Sequence, residues 1–88
     1  MIASIDVFER VVKTLRSILP KKSREADILM GTELATLGMD SLVFLEFLLG
    51  LESEFKLNLS GDVLKLKQVL TVGDAVELVS TEAAKVTL

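Results

Sequence analysis

Three stretches of this chain repeat apolar residues at helical spacing with breakers between them, so a helix bundle is the fold its pattern favours. In the first, Ile5, Phe8, Val12, Leu15 and Leu19 recur every three or four residues, and Val11 and Ile18 widen the stripe. Asp6, Glu9, Arg10, Lys13 and Arg16 fall on the other side. Ser4 stands where an N-cap is wanted, and Pro20 marks the stop. A second helix is predicted over residues 41–55. Steps of about 100° per residue bring Phe44, Leu48, Leu51 and Phe55 together, with Phe44 near the middle of the buried face and Leu45 and Phe47 flanking it. Leu42, Glu46, Leu49 and Ser53 point the opposite way, which leaves two leucines exposed beside a glutamate. The third helix opens at Thr71-Val72-Gly73-Asp74, a capping box with Asp in place of the usual Glu or Gln. Val72, Val76, Val79 and Ala83 share its inner face, and the tail from about Ala84 to Leu88 is expected to fray.

The connections differ in character. Residues 20–39 hold no period, and Gly31 and Gly38 punctuate them, yet Ile28, Leu34 and Leu37 are spaced as if pinned to a core. A loop this long in a small domain is usually functional or the sign of a missed element, and the functional reading is favoured because this one delivers the chain to Asp40-Ser41. A short helical turn is expected over 62–66. The predicted fold is all-α: a small bundle of three principal helices plus one short helix, with a long loop between the first two, in one domain spanning residues 1–88.

Composition removes several kinds of chemistry. The chain has 88 residues, no Cys and no His, so thiolate nucleophiles, imidazole bases and the common zinc ligands are missing. With no Trp or Tyr and four Phe, the core must rest mainly on Leu and Val. The net charge of −3 argues against nucleic acid, which wants a basic face. Lys21, Lys22 and Arg24 form one local basic cluster, read as a solvated loop. Glu52 and Glu54 stand two apart, so a helix turns them to different faces and they make no metal or acid–base pair. No apolar run approaches a membrane span, Met1-Ile2-Ala3 is soon interrupted by charges, and the expected location is the cytoplasm.

The segment that carries chemistry is Leu37-Gly38-Met39-Asp40-Ser41-Leu42. It sets a serine in the first turn of a helix, where unpaired N–H groups and the helix dipole favour an anion. A phosphate ester on Ser41 would be well tolerated there. Without a His, and with no Lys near it in sequence, the hydroxyl is a substrate for another enzyme rather than a nucleophile. By itself the Asp-Ser pair could be a helix cap and nothing more.

The same segment, followed by Glu46, by Leu51-Glu52-Ser53-Glu54-Phe55 and by Thr71-Val72-Gly73-Asp74, resembles the acyl carrier protein family over nearly the whole chain. The resemblance implies that Ser41 receives 4′-phosphopantetheine from coenzyme A through a phosphopantetheinyl transferase, which Asp40 helps it to recognise. It implies further that acyl groups ride on the arm as thioesters, and that the chain is not itself an enzyme. Partner enzymes that transfer, condense or modify the acyl group would dock on the second helix, through Leu42, Val43, Glu46, Leu49 and Glu52. A freestanding monomer with no nucleic-acid or membrane partner is expected. Three departures point away from housekeeping fatty-acid synthesis: Val43 replaces a usual acid, Phe44 a usual small or β-branched residue, and the charge is mild. Fatty-acid, polyketide and specialised lipid pathways stay open. A peptidyl carrier fits less well without a Gly-Gly before the motif, and an interaction module lacking any prosthetic group is the alternative from another class.

Overall fold

The computed structural model describes residues 4–19, 27–59 and 66–86. Its elements are α1 (Ser4–Ile18), a short 3₁₀ helix (Leu34–Leu37), α2 (Ser41–Phe55) and α3 (Val72–Val86). Among the described residues there is no strand, apart from one isolated antiparallel bridge between Glu33 and Thr71. The all-α bundle is the predicted one. Pro20, the Lys21-Lys22-Arg24 cluster and most of the expected 62–66 turn lie outside the described residues, although Leu66 is helical.

α1 packs against both other helices, and α2 and α3 meet only over a short stretch. A helix sandwiched this way buries a wide arc. Val7, Val11, Leu15 and Leu19 form its centre, and Phe8 and Val12, expected in the stripe, are only half-buried. Thr14 joins the buried side because its hydroxyl donates to the Arg10 carbonyl at 2.9 Å, which removes the cost of hiding it. Gly50 lets the helices come close there: a Cβ at that position would lie 2.8 Å from the Thr14 methyl.

On α2 the predicted face needs correction. Phe47, expected on the flank, is fully buried with Leu48 and Leu51, whereas Phe44 and Phe55 are half-buried and Leu45 is exposed. A helical wheel projects along the axis and treats every turn as equally covered. Here the core covers the middle turns most deeply, and Phe44 in the first turn and Phe55 in the last pack against its edge. Arg10, assigned by periodicity to the solvent side, folds across the end of α2 instead. Its Nε donates to Glu54 Oε2 at 2.9 Å and its Nη2 to the Glu54 carbonyl at 2.7 Å. The guanidinium carbon also lies 4.3 Å from the centre of the Phe55 ring. One side chain thereby binds a carboxylate, a helix C-terminal carbonyl and an aromatic face.

The segment before α2 is tied down, and it contains the missed 3₁₀ helix. Leu34 and Leu37 are its buried residues, and Gly38 ends it at φ 82°, the left-handed region, donating its N–H to Ala35 O. Further hydrogen bonds join this segment to the start of α3. Leu34 N–H donates to Leu70 O (2.9 Å), Val72 N–H to Thr32 O (3.0 Å) and Gly73 N–H to Met30 O (2.7 Å). Loop carbonyls thus satisfy the N–H groups that α3 would otherwise leave unpaired. α3 itself continues in helical form to Val86, past the point where fraying was expected.

Candidate functional site

Asp40 and Ser41 stand at the junction of the tied segment and α2. Asp40 is the N-cap, with extended backbone (φ −99°, ψ −175°), and its carboxylate accepts the Val43 N–H at 2.9 Å. Ser41 is the first residue of the helix and is exposed. The capping role and the exposed hydroxyl therefore belong to different residues, so Ser41 is free for other work. The left-handed turn at Gly38 aims the chain into this cap, since a residue with a Cβ would be strained there.

Ser41 opens onto two hollows. The larger, about 680 Å³, runs between the 3₁₀ segment and the start of α3, with Glu33, Leu34, Ala35, Leu70 and Thr71 among its walls. The smaller, about 450 Å³, is lined by Leu45, Leu48, Leu66 and Lys67. Ser41, Phe44 and Val69 border both. The wall that includes Leu70 and Thr71 is held by the capping box. Asp74 Oδ2 accepts the N–H groups of Leu70 and Thr71, each at 3.0 Å, and Asp74 N–H donates to Thr71 Oγ1 at 3.1 Å. The Leu70 N–H above all, and then that of Thr71, hold the Asp74 carboxyl below its ordinary pKa range, against a slight opposing effect of burial.

Of the predicted partner-facing residues, Leu42 and Leu49 are 66% and 54% exposed and Glu46 is exposed, while Val43 is half-buried. Leu45 continues their surface at 49% exposure. Glu52 differs from the others. Half-buried, it accepts the Leu59 N–H at 2.7 Å and so closes the turn after α2. Glu54 is held by Arg10, so the two glutamates have separate structural duties. Among the described residues no group of His, Cys, Asp or Glu is arranged to hold a metal ion.

The groove residues Glu33, Ala35, Leu70 and Thr71 were missed as site residues. One signal for the first two was legible: Leu34 and Leu37 three apart, followed by Gly38, is the spacing of a single 3₁₀ turn with its terminator.

A family model described as phosphopantetheine attachment site matches residues 9–79. The match takes in most of α1, all of α2, both hollows and the first half of α3. No curated protein and no solved structure matches the chain significantly.

Proposed function

Because the chain belongs to the phosphopantetheine attachment site family, and so is a carrier with a covalent 4′-phosphopantetheine, we propose that it is an acyl carrier protein loaded on Ser41. The observation that carries this reading is the position of Ser41: exposed, first in α2, freed from capping by Asp40, and open to a groove. The N–H groups at the start of α2 and its dipole favour the negative charge of a phosphodiester at that atom. When bound, the group supplies a terminal thiol that carries acyl groups as thioesters, sulfur chemistry that a chain without cysteine lacks.

The chain's own residues do three things in this reading. Gly38 and Asp40 fix the start of α2 and present the Ser41 hydroxyl to the transferase. Leu42, Leu49 and Glu46, with Val43 at their edge, offer partner enzymes an apolar surface with one charge, and Glu52 braces its far end. Contact there is weak and brief, since a carrier must leave each enzyme for the next. Carrier domains of this kind are typically non-catalytic, and we take this chain to be so: a cytoplasmic monomer in one domain over 1–88. No helix among the described residues is long and apolar enough to cross a membrane. The side chains at Val43 and Phe44 favour a polyketide or specialised lipid pathway over bulk fatty-acid synthesis.

The test is intact mass after incubation with coenzyme A and a promiscuous phosphopantetheinyl transferase. The wild-type chain gains one arm and Ser41→Ala gains none, at a stability cost of about 1 kcal/mol or less, because Asp40 still caps the helix. Loading of the variant on Ser53 or another serine overturns the assignment, and a wild-type chain that stays unloaded returns the interaction-module reading.

A further inference from the structure

The two hollows at Ser41 differ in chemistry. The smaller is walled by Phe44, Leu45, Leu48, Leu66 and Val69, with Lys67 at its edge. The larger joins apolar surface from Leu34, Met39 and Leu70 to polar groups of Glu33 and Thr71. A phosphopantetheine arm is itself mixed: a phosphodiester, a hydroxyl beside two methyl groups, two amides and a thiol. Its amides and hydroxyl need partners wherever they settle, and an apolar hollow would leave them unpaired.

We propose that the larger groove is the resting bed of the prosthetic arm, with Glu33 and Thr71 as its hydrogen-bonding walls and Phe44 as the partition that keeps the arm out of the apolar hollow. This inference rests on the carrier reading above. Glu33 is exposed and brings a carboxylate that accepts from amide N–H and hydroxyl groups. The Thr71 oxygen accepts the Asp74 N–H and its proton is turned on the Asp74 carboxylate, which leaves the oxygen's second lone pair to accept from an amide N–H of the arm. Asp40 and Asp74 also border the groove, each with one carboxylate oxygen already accepting backbone N–H groups. The two walls are joined by the bonds Leu34 N–H to Leu70 O and Val72 N–H to Thr32 O. The bed is therefore formed before the arm arrives, and little ordering entropy is lost in using it. Phe44 borders both hollows from the first turn of α2, where it packs against the edge of the core and is only partly buried.

The experiment loads the full chain with a pantetheine analogue that carries a nitroxide at its end, and reads paramagnetic broadening of backbone amides by NMR. Broadening is expected to be several-fold stronger at Leu34, Ala35 and Thr71 than at Leu48, Leu66 and Lys67. Ala35→Trp, at an exposed site that fills the groove, should abolish that bias in the chains that mass spectrometry shows to be loaded. Phe44→Ala should spread the broadening into both hollows. Strongest broadening at Leu48 and Leu66, or equally weak broadening on both sides, overturns the inference and leaves the carrier reading standing. An Ala35→Trp pattern identical to wild type overturns it as well. If mass spectrometry shows no loading at all, both readings fall.

Discussion

Replacing Asp74 with Ala tests how the wall of the Ser41 groove is held. The substitution removes the acceptor of two backbone N–H groups, Leu70 and Thr71, and leaves the Asp74 N–H bond to Thr71 Oγ1 in place at an Ala backbone. Water can reach this half-exposed site, so the loss is that of a helix cap rather than of a buried pair: about 1.5 kcal/mol. In a domain of this size each kcal/mol is worth about 4–8 °C in Tm, so the variant should melt about 6–12 °C below wild type at pH 7 by circular dichroism. The sign with pH is fixed by the direction of the shift. The folded carboxyl titrates below its ordinary value, so its stabilisation is fully present above the unfolded carboxylate pKa of about 3.9. It is lost as pH falls through the lower folded value. The gap between the two proteins should therefore hold from pH 7 to about 5 and narrow towards pH 2. Amide exchange at Leu70 and Thr71 should quicken in the variant. A gap below about 2 °C at pH 7, or one that stays constant into acid, would refute the reasoning.

Substitutions at three further contacts probe the bundle and the cargo. Gly50→Ala gains about 0.8–1 kcal/mol of helix propensity but drives a Cβ to 2.8 Å from the Thr14 methyl. Overpacking at about 1–3 kcal/mol should win. In a Thr14→Ser background the same change should turn neutral or stabilising by urea midpoint, and stabilisation in the wild-type background would show that the contact relaxes freely. Arg10→Met should cost about 1–2 kcal/mol in urea unfolding, and Glu54→Gln less than half of that, because the Glu54 carbonyl still accepts from Nη2; equal losses would assign the effect to the ion pair alone. Phe44→Thr should destabilise the unloaded chain by about 1–2 kcal/mol, less than the 3–5 kcal/mol of a fully buried Phe, since the ring is half-exposed. A long acyl chain should recover part of this loss on thermal melting, whereas a larger gain in wild type would show that Phe44 does not restrict cargo.

What the sequence made legible followed from local rules. The bounds of α2, the capping box at Thr71 and the exposure of Leu42 and Leu49 each depend on residues within one or two turns, and periodicity and capping chemistry read that range well. The errors came from longer range. Arg10 lies 44 residues from Glu54, so no helical pattern could reveal that its guanidinium would leave solvent to close the end of another helix. Phe44 and Phe47 exchanged importance because burial varies along α2 as well as around it. The 3₁₀ helix was hidden in a segment without a long period, since a single turn shows only two apolar residues.

The arrangement also explains why a site at one helix start depends on another helix. Ser41 is placed by Asp40, Asp40 by the left-handed turn at Gly38, and that turn by the buried pair Leu34 and Leu37. Leu34 in turn donates to Leu70, whose own N–H is held by Asp74 at the start of α3. Met30 and Thr32 cap the first N–H groups of α3 from the same loop, and at Gly73 a Cβ would come within 3.0 Å of the Met30 carbonyl. Loop and helix start therefore satisfy part of each other's backbone hydrogen bonding. These bonds tie the segment before Ser41 to the start of α3, while the groove beside the serine stays open. On the proposed reading, the hydrogen-bonded segment places Ser41 and the motion needed for carrying cargo is left to the arm.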